Sequence, residues 1–160
     1  MPVTFQEIYS SYWPKVFRLC MGYVNDRDWA KDIAQETFIT IWQQLPKFRN
    51  ESSIGTWIFR IASNHCLRQI ERQRRNISVP MPEELLDQPS TDIEQRVEIL
   101  YRCIAKLPEI DRLIIGLELE DVKQAEIAAI VGISEANVRV RIHRIKEKLS
   151  QKVKQYEQES

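Results

Sequence analysis

The sequence predicts an all-α fold built as two small helical domains. Apolar residues recur at steps of three and four along most of the 160-residue chain. The apolar–polar alternation bounded by turn residues that marks strands is missing. The aromatic residues are also unevenly spread. All four Trp (13, 29, 42, 57) and all five Phe (5, 17, 38, 48, 59) lie in the first 59 residues, while the later half keeps Tyr101 and Tyr156 and relies on Ile, Leu, Val and Ala. Two separately built cores would give that contrast. The expected organisation is a first domain over 1–76, an acidic proline-containing linker over 77–93, and a second domain over 94–160.

In the first domain the periodicity predicts a helix over 5–24, with Pro14 as a kink or break. Asn25 or Asp26 can cap the next helix, roughly 27–44, whose apolar positions include Trp29, Ile33, Phe38, Ile41, Trp42 and Leu45. Pro46 stops it. After the loop PKFRNESS, Ser53 is placed to cap a helix over 54–75, IGTWIFRIASNHCLRQIERQRR. Ile54, Ile58, Ile61 and Ala62 form its buried stripe. Trp57, Arg60, Asn64 and Arg68 follow a second line at steps of three and four, which gathers an aromatic ring, an amide and two guanidiniums on another face. Such a face suits a single-stranded nucleic-acid base beside its phosphates. A core Trp next to a solvated basic face is the plainer alternative.

Residues 77–92, ISVPMPEELLDQPSTD, hold Pro80, Pro82 and Pro89 without a sustained period, so they read as an extended linker. The second domain is expected to be helical over about 93–106, 109–118, 123–130 and 134–154. In KQAEIAAIVGISEANVRVRIHRIKEKL, a short helix bearing Ile127, Ala128 and Val131 meets Gly132, which permits a tight positive-φ turn. Ser134 can then cap a longer helix with the stripe Ile133, Val138, Ile142, Ile145 and Leu149. Small Ala128 and Ala129 allow the two helices to cross closely. This is a helix-turn-helix, whose second helix has the length and charge for a major groove. Arg139, Val140 and His143 are placed to meet base edges, and Arg141, Arg144 and Lys148 to meet phosphates. A lone His is more often a surface or packing residue than a base reader.

Charge distribution agrees with two polyanion contacts. The 23 basic and 23 acidic side chains cancel overall. Residues 59–76 nevertheless hold five Arg against Glu71, and residues 134–154 hold seven bases against Glu135 and Glu147. Between them, residues 77–101 carry six acids against Arg96. Cys20, Cys66 and Cys103 are odd in number and form no CxxC, which suits reduced, small apolar side chains in a cytoplasmic protein. The start, MPVTFQEIYSSYW, has no basic leader and no apolar run suited to export. No stretch approaches the ~20 apolar residues of a membrane span, so no membrane insertion is expected. No nucleophile–base pair, metal-ligand spacing or phosphate-cradling Gly loop occurs, so neither catalysis, a cofactor nor a metal is expected.

Taken together, these pieces resemble a bacterial RNA polymerase sigma factor of the extracytoplasmic-function (ECF) group of the sigma-70 family. Asp32-Ile33-Ala34-Gln35-Glu36-Thr37-Phe38, then Ile41-Trp42, is similar to that family's polymerase-docking helix. Phe48-Arg49-Asn50-Glu51-Ser52-Ser53, then Thr56-Trp57-Ile58-Phe59-Arg60-Ile61-Ala62-x-Asn64, resembles its promoter-melting segment. Leu107-Pro108, Glu126-Ile127-Ala128 through Gly132-Ile133-Ser134, then Val138-Arg139 and Arg141-Ile142-His143-Arg144, resemble its C-terminal domain. The match covers nearly the whole chain in order.

The resemblance implies roles. Asp32, Gln35, Glu36, Phe38 and Trp42 would dock on the coiled coil of the polymerase β′ subunit, with core packing as the plainer role for Phe38 and Trp42. Arg49, Asn50, Ser52 and Ser53 would hold a flipped base of the −10 element, and Trp57, Arg60, Asn64 and Arg68 would engage the opened strand. The C-terminal helix, with Ser134, Arg139, Val140, Arg141, His143, Arg144 and Lys148, would read the duplex −35 element. The resemblance further implies core RNA polymerase (β′ and β) and promoter DNA as partners, and an anti-sigma protein beside them. It also implies that the acidic linker threads the polymerase's RNA path. Lys123 departs from the family's small polar cap at the start of the first C-terminal motif helix. Val140 stands where Ser is common, which favours a thymine-methyl contact and an altered −35 preference. Two rivals remain at this point. One is a free-standing helix-turn-helix regulator binding duplex DNA as a dimer, and the other is a helical adaptor that binds only protein.

Overall fold

In the computed structural model, residues 3–75 and 92–159 are described. Among them are α1 (Phe5–Val24), α2 (Arg27–Gln44), a 3₁₀ turn (Leu45–Lys47), α3 (Ile54–Arg75), α4 (Asp92–Ala105), α5 (Glu109–Leu119), α6 (Gln124–Val131) and α7 (Glu135–Glu159), with no strand. The fold is all-α, as the periodicity predicts. Most of the acidic linker lies outside the described residues, as do the side chains of Arg72, Arg74 and Arg75.

Local chemistry sets the helix ends. Thr4 and Glu7 form a capping box at α1: Glu7 N–H donates to Thr4 Oγ1 at 3.2 Å, and Thr4 N–H donates to Glu7 Oε2 at 3.4 Å. Helix α1 runs on through Pro14. The proline removes one backbone donor, and the apolar face bearing Ile8, Val16, Leu19, Cys20 and Tyr23 anchors both sides of it. The two candidate caps before α2 divide the work. Asn25 ends α1 in the left-handed conformation (φ 49°), donating its N–H to Met21 O, and the Asp26 side chain caps α2 by accepting from Trp29 N–H at 2.9 Å. Ser53 caps α3, accepting from Thr56 N–H at 3.2 Å. Lys123 makes no side-chain cap at α6.

Helix α1 is the hub. It packs on α2 and α3, and also on α4 and α5, while α3 reaches α6 and α6 packs on α7. The buried side chains of both halves therefore form one continuous core, from Ile8 in α1 to Leu149 in α7. The aromatic contrast in the sequence is real, but it does not separate two cores. In the last turns of α1 the buried stripe of Val16, Leu19, Cys20 and Tyr23 is flanked by half-buried Phe17, Met21 and Val24, a surface wide enough to serve both sides. Cys20, Cys66 and Cys103 are buried free thiols. The Cys66 thiol donates to Cys20 Sγ at 3.9 Å; that hydrogen bond, with burial, pushes the Cys66 pKa well up and keeps it protonated. No helix among the described residues is long and apolar enough to cross a membrane.

Candidate nucleic-acid and partner interfaces

Helix α2 turns one face inward through Ala30, Ile33, Ala34, Thr37, Phe38 and Ile41 and presents Asp32, Gln35 and Glu36 to solvent. The two aromatics predicted on it part company. Phe38 is 3% exposed and Trp42 is 62% exposed, so Trp42 is not a core residue. Beside them α1 contributes a row the sequence reading missed. Phe5 stands edge-on to Trp42 (centroids 5.1 Å apart), Tyr9 edge-on to Phe38 (5.1 Å), and Trp13 stacks on Tyr9 (5.3 Å). Residues 5, 9, 13 and 17 recur every fourth position, a spacing that could have revealed this ridge. Of these, Phe5, Tyr9 and Trp13 line an open apolar groove of about 370 Å³ with Gln35, Phe38, Ile39 and Trp42. Ile39 is 58% exposed at its edge. An aromatic groove on a helix that also exposes Asp32 and Glu36 suits a protein partner that offers apolar side chains and bases. Glu36 is partly committed inward, since its Oε2 accepts from Gln69 Nε2 at 3.2 Å and lies 3.9 Å from His65 Nδ1. Burial lowers the His65 pKa more than Glu36 raises it, and its Nε2 pairs with Thr40 Oγ1 at 2.8 Å.

A second site forms where the loop after the 3₁₀ turn meets α3. The Phe48 and Trp57 rings lie 4.7 Å apart at 33°. Next to them Lys47, Arg49, Glu51, Ser52 and Arg60 complete a polar hollow of about 340 Å³. The structure thus brings Arg49, Ser52, Trp57 and Arg60 together. Asn50, left-handed at φ 58°, sits in the same loop without lining the hollow. The Ser53 hydroxyl is spent on the α3 cap and on Thr56 Oγ1, 2.8 Å away. Asn64 and Arg68 are exposed further along α3. A planar ring beside three cations and a hydroxyl can stack a flat heterocycle and hold the adjoining phosphates.

The third site is the turn between α6 and α7. Gly132 takes φ 78° and donates its N–H to Ala128 O at 2.8 Å; Ser134 Oγ accepts from Asn137 N–H at 3.1 Å and caps α7. Val138, Ile142, Ile145 and Leu149 are buried as expected, with Ile133 half-buried. Ala128 is at the crossing, whereas Ala129 faces solvent and plays no part in it. Arg139, Val140, His143, Arg144 and Lys148 are exposed along α7. Arg141 differs from them. Its Nη1 donates to Asp111 Oδ1 at 3.0 Å and its Nε to Asn137 Oδ1 at 3.2 Å, which ties α7 to α5. Arg139 lies 3.9 Å from Glu135 and His143 3.9 Å from Glu147, exposed pairs that exchange readily with solvent. Among the described residues no group of His, Cys, Asp and Glu could hold a metal ion.

Comparison with known proteins gives a consistent result. Residues 8–76 match the family model for sigma-70 region 2, and residues 97–149 match that for sigma-70 region 4. An ECF RNA polymerase sigma-E factor of Salmonella typhimurium is 32% identical over 163 residues, covering 89% of this chain and 82% of the relative. An ECF RNA polymerase sigma factor RpoE of Cereibacter sphaeroides is 29% identical over 157 residues, covering 92% and 84%. Two solved structures share the fold. The sigma factor RpoE of Bartonella quintana, solved with the anti-sigma factor NepR, superposes with a TM-score of 0.75 at 19% identity, covering 94% of this chain and 96% of that one. CnrH, solved with the cytosolic domain of CnrY, gives 0.66 at 23% identity, covering 92% and 85%.

Proposed function

Because the chain belongs to the ECF group of the sigma-70 family, and so is a promoter-specificity factor for RNA polymerase, we propose that its three surfaces divide transcription initiation between them. The outer face of α2, with Asp32, Gln35, Glu36 and Trp42 beside the α1 aromatic row, docks on the β′ coiled coil of core polymerase. Phe38 forms the floor of that groove. The hollow at Arg49, Ser52, Trp57 and Arg60, flanked by Asn50, Ser53, Asn64 and Arg68, takes an unstacked base of the −10 element. Ser134, Arg139, Val140, His143, Arg144 and Lys148 on the exposed side of α7 meet the duplex −35 element, with Arg141 as a brace between α5 and α7.

The observation that carries this reading is the Phe48–Trp57 pair at the rim of a cationic hollow. Pulling a base from the duplex costs a few kcal/mol, and stacking on an aromatic ring returns about 1–3 kcal/mol per base. Cations at 47, 49 and 60 add phosphate contacts, so the site favours the opened strand over the paired one. The protein's part is binding and positioning, and the chemistry of transcription stays with the polymerase. Its place of action is the cytoplasm, where the polymerase works. An anti-sigma protein is the proposed regulator, in keeping with the anti-sigma factor NepR bound to one of the two fold neighbours.

Mixing the purified chain with sigma-free core polymerase and a genomic DNA library, then mapping transcript 5′ ends, tests this. New starts that share two upstream motifs at fixed spacing are expected. A polymerase neither bound nor redirected, with the chain alone protecting duplex DNA, would replace this reading with a free-standing regulator.

A further inference from the structure

Helix α3 holds the carboxylate of Glu36 on α2, and it does so without a charge. Trp29 Nε1–H donates to Gln69 Oε1 at 3.3 Å, and Gln69 Nε2 donates to Glu36 Oε2 at 3.2 Å. The two bonds fix the amide between them: its oxygen faces the indole and its nitrogen faces the carboxylate. Trp29 and Gln69 are half-buried, which shields this short chain from water. The Glu36 side chain is 49% exposed, and among the described residues no contact engages its other oxygen, Oε1. One oxygen is anchored and one is presented.

The remaining neighbour, His65, is neutral as well. Thr40 Oγ1 donates to Glu36 O at 3.1 Å and lies 2.8 Å from His65 Nε2. The single hydroxyl proton goes to the carbonyl, so the ring nitrogen must donate, which places the imidazole proton on Nε2. His65 Nδ1, 3.9 Å from Glu36 Oε2, is then bare. Burial lowers the His65 pKa, Arg68 acts in the same direction, and together they outweigh the pull of Glu36. The carboxylate is therefore oriented by an amide while its negative charge stays uncompensated. An ion pair in the same place would hold it equally well but neutralise it before a partner arrived.

We propose that Gln69, itself held by Trp29, is a positioning residue for polymerase docking: it presents Glu36 to a basic group of the polymerase already oriented and still fully charged. The inference rests on the docking role proposed above for α2. It gives α3 a second duty. The line of Trp57, Arg60, Asn64 and Arg68 is assigned to the opened strand, while His65 and Gln69 on the neighbouring side of the helix support the polymerase contact. A side chain ordered before binding loses no rotamer freedom when the partner arrives.

Titration of the full chain with core polymerase, run as a double-mutant cycle, tests this. Glu36→Ala should weaken binding by roughly tenfold or more, the effect of losing a hydrogen bond to a charged group. Gln69→Met keeps the length of the side chain and removes the amide. It should weaken binding by about two- to tenfold, and have no further effect in the Glu36→Ala protein. Trp29→Phe, which keeps a ring and removes the indole donor, should weaken binding in the same direction, again only while Glu36 is present. Gln69→Lys restores a donor but neutralises the carboxylate, so it should weaken binding rather than rescue it. Equal losses from Gln69→Met with and without Glu36 would make Gln69 a packing residue and overturn the proposal. Native affinity for Gln69→Met or Gln69→Lys would overturn it too. Native affinity for Glu36→Ala would remove Glu36 from the docking face, so failure of the docking reading is told apart from failure of the positioning alone.

Discussion

Trp57 is held by a neighbour before any ligand arrives. Phe48 lies against it at 4.7 Å, so the ring is fixed and half-buried while its remaining surface borders the hollow. Fixing the ring in advance removes rotamer entropy from the binding step. Trp57→Ala should therefore lower the yield of opened promoter by roughly tenfold to a hundredfold, the equivalent of about 1–3 kcal/mol of lost stacking. Polymerase affinity should change little, because the proposed polymerase contact lies on α2. Permanganate footprinting of the opened strand beside a pull-down of core enzyme reads the two separately. Equal loss in both would make Trp57 a packing residue. Arg141 shows the opposite economy: with its guanidinium already on Asp111 and Asn137, it brings less free charge to DNA than Arg144 or Lys148.

At the scale of elements, the turn between α6 and α7 depends on one backbone angle. Gly132 at φ 78° has open space where a Cβ would go, so a side chain there meets no clash and pays only the left-handed backbone cost. Gly132→Ala should cost about 1 kcal/mol, a melting-temperature drop of roughly 2–4 °C for a chain of this size. Gly132→Asn should cost less, since Asn tolerates that region. Thermal melts that rank Ala and Asn equally would show that φ at 132 is not what limits the turn. This turn was legible in the sequence, as were Asp26, Ser53 and Ser134 as caps, because such signals act within a few residues. Other features depend on what lies across the fold. Periodicity showed that Phe38 and Trp42 were apolar and near one face, but their burial was decided by α1, whose Phe5, Tyr9 and Trp13 wall off one ring and leave the other exposed. Pro14 gave a correct local signal, the loss of a donor, that packing of α1 outweighed.

The whole molecule depends on a contact that no local pattern announces. Arg18 of α1 pairs with Glu120 at the end of α5 across 102 positions, and a heptad-like stripe says which face is buried but not what buries it. That contact joins the two halves across one continuous buried core. Leu19 is 1% exposed and meets α5 at Gly116, so its side chain is shared between the halves. If the shared core sets cooperativity, the free native chain unfolds in a single calorimetric transition although it carries two family modules. Leu19→Ala removes shared packing at a cost of about 2–5 kcal/mol, most of it from the α1–α5 contact. Two transitions should then appear, one for each half, with the helical signal at 20 °C retained. A native chain that already melts in two steps would mean that the α1–α5 contact is too weak to couple the halves.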